Sequence, residues 1–163
     1  RCGGGCSARI YRAEQQAVLF DPSGDGTVAP TLMSLWKLPA DTLPTFIVPP
    51  PVAIPLLKGA DLMLPGVLGL VFPGNGNGTS AAVGGLACVC VHGNPAPFCI
   101  GKLLLDQQEA EALSQGSKGG KGRCLQPLHT FGDALWQGSG GGIPNAGFVC
   151  LEDGKQILPV QTA

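Results

Sequence analysis

The amino-acid sequence predicts an α+β, strand-rich fold made of short elements. Its apolar residues fall in brief runs bounded by Gly and Pro clusters, the pattern of strands between turns. One segment, Asp106-Gln-Gln-Glu109 running to Ser114, carries a helix signature instead. The 26 glycines and 15 prolines among 163 residues leave little room for long helices, while 44% hydrophobic residues supply a core for one domain or two small ones.

Each element follows from local chemistry. Residues 7–12 and 17–20 read as two strands around a polar link, with the turn cluster Asp21-Pro-Ser-Gly-Asp-Gly26 behind them. Pro30 to Trp36 suits a short helix that Pro39 stops. The triplet Pro49-Pro50-Pro51 reads as a stiff extended spacer that cannot continue a helix or a central strand, which puts a domain boundary at about residue 48. From Val52 an apolar run ends at Lys58-Gly59, as a helix does when Gly takes the left-handed position after the last turn.

Asp61 to Val67 then reads as a short strand closed by Pro65-Gly66, and Pro73 to Gly78 as a loop. Runs 86–92 and 98–105 form a long-looped hairpin. The helix at 106–114 has Asp at its cap, Glu three residues on and Gly116 as its stop. A strand over 123–128 and a helical turn over 131–136 follow, and Gly138 to Gly142 has the composition of a linker. Two apolar stretches in the tail, 147–151 and 156–160, read either as an edge hairpin or as a lead toward a further domain.

Composition excludes several functions. With 13% charged residues and a formal net charge of -1, no global positive field draws the chain to nucleic acid or anionic lipid, so such contact needs a local patch. No apolar run reaches the ~18 residues that a membrane helix requires. The opening Arg1 and Cys2-Gly-Gly-Gly-Cys6, without initiator Met or signal peptide, reads as an internal piece of something longer.

Seven cysteines without C-x-x-C spacing argue against zinc and for a reducing, cytoplasmic setting, where Cys88 and Cys90 pack on one strand face as small hydrophobes. The sequon at Asn77 is read as accidental in such a chain. Two histidines, no nucleophile elbow, no zinc-protease motif and no P-loop make an enzyme, a catalytic residue or a cofactor a poor expectation.

The local signal is electrostatic. Ser117-Lys118-Gly-Gly-Lys121-Gly-Arg123 holds three cations and no acid, which suits phosphate, although a solvated turn would look the same. Lys58 would extend the patch if the fold brings it near. For His129, a core position with both nitrogens satisfied competes with a base contact.

Leu35-Trp36-Lys37, Leu43-Pro-Thr-Phe46, Lys121-Gly122, Leu128-His-Thr130 and Leu135-Trp136 resemble the ligatin family, also called eukaryotic translation initiation factor 2D. The string Gly59-Ala-Asp-Leu-Met-Leu-Pro-Gly66 is the most informative part, because it is similar to the signature of the PUA domain, an RNA-binding module.

The resemblance implies a partial pre-PUA domain over 1–48, a PUA pseudobarrel of mixed strands with two short helices over 49–136, and a linker with C-terminal extension over 137–163. It further implies that RNA backbone lies along Lys58, Gly59, Ala60, Met63, Pro65 and Gly66, supported by Lys118, Lys121, Arg123 and His129. Gly59 and Gly66 lack Cβ, so backbone amides there are expected to approach phosphate, while Asp61 is expected to pair with backbone. The implied partners are small-ribosomal-subunit RNA, tRNA and further C-terminal domains of the same parent protein. The alternatives are an accessory domain of a tRNA- or rRNA-modifying enzyme, and a stand-alone partner-binding regulator of translation.

Overall fold

The computed structural model describes residues 8–73, 83–116, 120–145, 148–150 and 157–159. The chain starts with a three-stranded antiparallel sheet of β1 (Arg9–Ala13), β2 (Gln16–Asp21) and β3 (Ala29–Pro30). Glu14 and Gln15, both with positive φ, make the tight turn between β1 and β2. The next turn is folded around one carboxylate: Asp21 accepts hydrogen bonds from the backbone N–H groups of Ser23, Gly24 and Gly26 at 2.6–3.1 Å. Helix α1 (Leu32–Leu35) follows, with the Thr31 hydroxyl as its N-terminal cap.

A six-stranded mixed sheet forms the larger unit. Its strands are β4 (Thr45–Val48), β5 (Leu62–Met63), β6 (Gly69–Val71), β7 (Leu86–Val91), β8 (Cys99–Leu103) and β9 (Arg123–Thr130), in the order β5-β9-β8-β7-β4-β6. Only β4 and β7 run parallel; the other neighbours are antiparallel.

The two outer strands, β5 and β6, are consecutive in the chain. Six flat strands at ~4.8 Å spacing would hold them about 24 Å apart. The link between them contains the 3-10 turn Leu64–Gly66, and even fully extended it would reach only about 20 Å. The sheet therefore curls until its edges approach, as a pseudobarrel does. Phe46, Val48, Val89, Ile100, Leu103 and Leu125 fill the interior.

Several expectations change here. β4 is already integral to this sheet, so the larger unit begins ahead of the boundary expected at about residue 48. Pro50 and Pro51, expected in an extended spacer, instead form the first turn of helix α2 (Pro50–Leu57). Backbone N–H groups in a first turn have no helical acceptor, so proline costs nothing there and its fixed φ suits the helix. β6 forms at Gly69–Val71, where no strand is expected, and the strand expected over 61–67 shrinks to Leu62–Met63 before the 3-10 turn.

Other elements agree with their local signals. Helix α3 (Gln107–Ser114) has both arms of its capping box, Asp106 to the Glu109 N–H and Glu109 back to the Asp106 N–H, at 2.8 and 3.0 Å. Pro127 lies inside β9, where β5 has already ended, so its missing N–H breaks no ladder on that side. The tail stretches do pair: β10 (Phe148–Cys150) runs antiparallel to β11 (Ile157–Pro159).

Aromatic rings join the first unit to the barrel. Trp36 meets Phe131 and Phe148 with centroids 5.9 and 5.8 Å apart, and its indole N–H donates to the Pro97 carbonyl at 2.8 Å. Helix α4 (Ala134–Gly138) adds Trp136, 4.7 Å from Phe131.

Candidate nucleic-acid interface

Most of the residues expected to contact RNA lie where α2 leads into β5 and where β9 begins. Helix α2 ends in a complete Schellman motif. The Ala60 N–H reaches back to the Pro55 carbonyl at 3.0 Å and the Gly59 N–H to that of Leu56 at 2.9 Å. Gly59 takes φ +87°, and the space its Cβ would occupy is open. Lys58, Gly59 and Ala60 are all exposed on this corner.

β9 brings in the second group. Met63 lies directly opposite Arg123 across the β5–β9 pair, and the Leu64 N–H donates to the Gly122 carbonyl at 2.9 Å. These contacts hold the exposed Lys121 and Arg123 beside the exposed Met63 and Pro65. Arg123 Nη1 donates to Asp61 Oδ2 at 2.9 Å, with the arginine side chain 64% exposed and the aspartate 25%. Among the described residues the outcome is a ledge with three cations, Lys58, Lys121 and Arg123, and one carboxylate.

Several expected roles change in detail. The backbone amides of Gly59 and Ala60 are already bonded within the helix cap, so the ledge offers the open Cα surface of Gly59 and not free N–H groups. Gly66 serves packing: a Cβ there would press on both Val52 methyls at 3.2–3.3 Å, so its missing side chain makes room for α2. Asp61, expected to pair with backbone, holds the Arg123 guanidinium. Lys118 and the Asn77 sequon lie outside the described residues.

His129 is a core residue. Its side chain is 1% exposed, its Nδ1 lies 2.7 Å from Asp133 Oδ2, and Phe20 packs edge-on against its ring at 5.5 Å. It therefore takes no part in the exposed ledge. The signal was local: His129 and Asp133 are four residues apart, and Asp133 also caps α4 by accepting the Trp136 N–H. Burial raises the Asp133 carboxyl, but the His129 hydrogen bond and charge and the Trp136 and Thr130 N–H groups outweigh it and hold the group below its ordinary value.

The remaining chemistry is inert or apolar. Burial pushes the Cys124 thiol up to about 12 and raises that of Cys99 as well, so both stay protonated at neutral pH. Cys88 and Cys90 are buried on β7, with Cys88 Sγ 3.2 Å from the Thr45 hydroxyl. No group of three or more His, Cys, Asp or Glu among the described residues could hold a metal ion. A groove of about 470 Å³ opens beside β4 and β6, lined by Leu43, Ile47, Val71, Phe72 and Val91. Among the described residues its one charged lining residue is Asp41, so it does not suit phosphate. No helix among the described residues is long and apolar enough to cross a membrane.

Known proteins share this architecture. Residues 43–134 match the family model described as eIF2D, PUA domain. Eukaryotic translation initiation factor 2D of Mus musculus is 38% identical over 142 residues, which are 87% of this chain and 23% of that protein. The Homo sapiens factor is 38% identical over 133 residues, 82% of this chain and 21% of its own length. The chain thus spans less than a quarter of these relatives.

Among solved structures, a PUA domain from Aeropyrum pernix K1 superposes with a TM-score of 0.67 at 30% identity, covering 81% of this chain and 67% of that one. A PUA domain protein from Thermoplasma acidophilum gives 0.57 at 20% identity over 84% and 79%, which supports the fold. A curled mixed sheet closed by a 3-10 turn, a Schellman-capped helix leading into it and this family match together place the chain in the PUA-domain family of eukaryotic translation initiation factor 2D.

Proposed function

We propose that the ledge binds the sugar-phosphate backbone of RNA in the small ribosomal subunit and so docks a larger translation factor there. The exposed Lys58 at the end of α2, with the exposed Lys121 and Arg123 held beside β5 and Asp61 the one acid opposing them among the described residues, carries this reading. The work is contact and positioning, with no bond made or broken by this chain. Through further domains of its parent protein it would support delivery or removal of tRNA without GTP hydrolysis, in the cytoplasm.

The low overall charge makes affinity modest and the salt dependence shallow. Each phosphate contact adds about 0.7–0.9 to the slope of log affinity against log salt concentration. Replacing Lys58 and Lys121 together by Glu is expected to weaken cosedimentation with small subunits on the order of tenfold between low and physiological salt. Unchanged cosedimentation of the double variant would overturn the reading.

A further inference from the structure

The contact between Asp61 and Arg123 crosses 62 residues of sequence and sits in the middle of the ledge. A carboxylate there repels phosphate, so it opposes the role of its neighbours unless it does something else. Its geometry is one-armed: a single Nη1 donates to a single oxygen. Among the described residues the remaining guanidinium N–H groups have no partner, and the side chain is mostly exposed. An arginine is a rigid planar fork, so fixing one arm fixes the direction of the others.

We propose that Asp61 is a positioning residue that makes the ledge selective, orienting Arg123 toward one phosphate of a structured RNA and repelling polyanion chains that arrive in other directions. This rests on the RNA-binding reading above. The Arg123 fork keeps its bond to Asp61 while its free arms take the phosphate. The ledge gives up raw attraction and gains direction. A loose single strand loses from the carboxylate, whereas an RNA surface of matching shape gains from a guanidinium already aimed at it.

The test uses the whole 163-residue chain, purified small ribosomal subunits and poly(U) as a shapeless polyanion. Asp61→Asn keeps the side chain's size and removes its charge. It is expected to raise poly(U) affinity about threefold between 50 and 200 mM salt and to steepen the salt slope by about 0.7, the single-strand value for one more contact. Affinity for small subunits is expected to rise less, so the ratio of the two affinities falls.

Arg123→Lys is the second variant. It keeps the charge, but a point ammonium cannot hold a carboxylate and a phosphate through separate planar N–H groups, and it is expected to lower the same ratio. If both affinities change in equal proportion, or neither moves, the positioning role is overturned. If the Lys58→Glu, Lys121→Glu protein binds small subunits as the unaltered chain does, the RNA-binding reading itself fails.

Discussion

The two ends of β9 each carry a cation-forming side chain against an aspartate, at nearly equal distance and with opposite consequences. At its C-terminal end His129 and Asp133 lie 2.7 Å apart with the histidine sealed beneath Phe20. At its N-terminal end Arg123 and Asp61 lie 2.9 Å apart in water. The distances are close and both carboxylates are partly exposed; the difference is in the partner, 1% exposed for His129 and 64% for Arg123. The half-buried Asp133 carboxylate also takes the Thr130 and Trp136 N–H groups, so it closes a network that holds α4 on the strand. Among the described residues the other pair leaves guanidinium N–H groups available, which the proposed RNA contact requires.

The largest effect that would break this contrast comes from Asp133→Ala. It removes a helix cap, about 0.5–2 kcal/mol, and leaves the buried His129 nitrogen without its acceptor, about 1–3 kcal/mol. We expect a total loss of about 2–4 kcal/mol, read from urea unfolding followed by tryptophan fluorescence. A loss under about 0.5 kcal/mol would make the two ends of the strand equivalent after all.

Acidity sharpens the comparison next. A carboxyl whose folded pKa is lowered gives stability that is fully present above its ordinary value near 3.8 and is lost as pH falls through the lower folded value. Stability of the unaltered protein is expected to fall as pH drops below about 3.8, and that of Asp133→Ala to fall less steeply. Asp21, whose burial is outweighed by three backbone N–H bonds, shifts in the same direction, so the difference between the two proteins isolates Asp133. Parallel curves would show that the His129 contact carries no charge-dependent stability.

The smallest effect on stability belongs to Asp61→Asn. Exposed ion pairs contribute about 0–1 kcal/mol, so the thermal midpoint is expected to stay within a few degrees while RNA selectivity changes. A shift as large as that of Asp133→Ala would move this pair from the binding surface to the scaffold.

Legibility in the sequence followed the distance between interacting residues. The capping box of α3 and the glycine stop of α2 were readable because each is complete within a few residues. The proline triplet was misread because the same residues fit a spacer or a helix start, and the choice depends on where Ala53 and Leu56 are buried. β6 escaped notice because three residues become a strand only by pairing with β4, Thr45 against Val71.

The site divides the same way. The charges of Lys58, Lys121 and Arg123 were visible, as was the need for glycine at 59. That Asp61 faces Arg123, that Gly66 shelters Val52 and that the Gly59 and Ala60 amides are occupied all depend on tertiary contacts. His129 is the instructive case: a histidine four residues before a helix-capping aspartate has a ready local partner, and here that bond is made by a ring that is itself buried.

The curl that brings β5 and β6 together means the pseudobarrel has a seam, and the ledge spans one lip of it. Lys58 and Asp61 belong to the chain entering the edge strand, Lys121 belongs to the chain leading into the strand it zips onto, Arg123 is that strand's first residue, and β5 contributes only two residues to that closure. A polymer gripping both sides would clasp this two-residue pairing beside the seam. Occupancy would then be felt as slower local opening at Leu62 and Met63, with the nucleic acid acting as an external stitch in the protein's own wall.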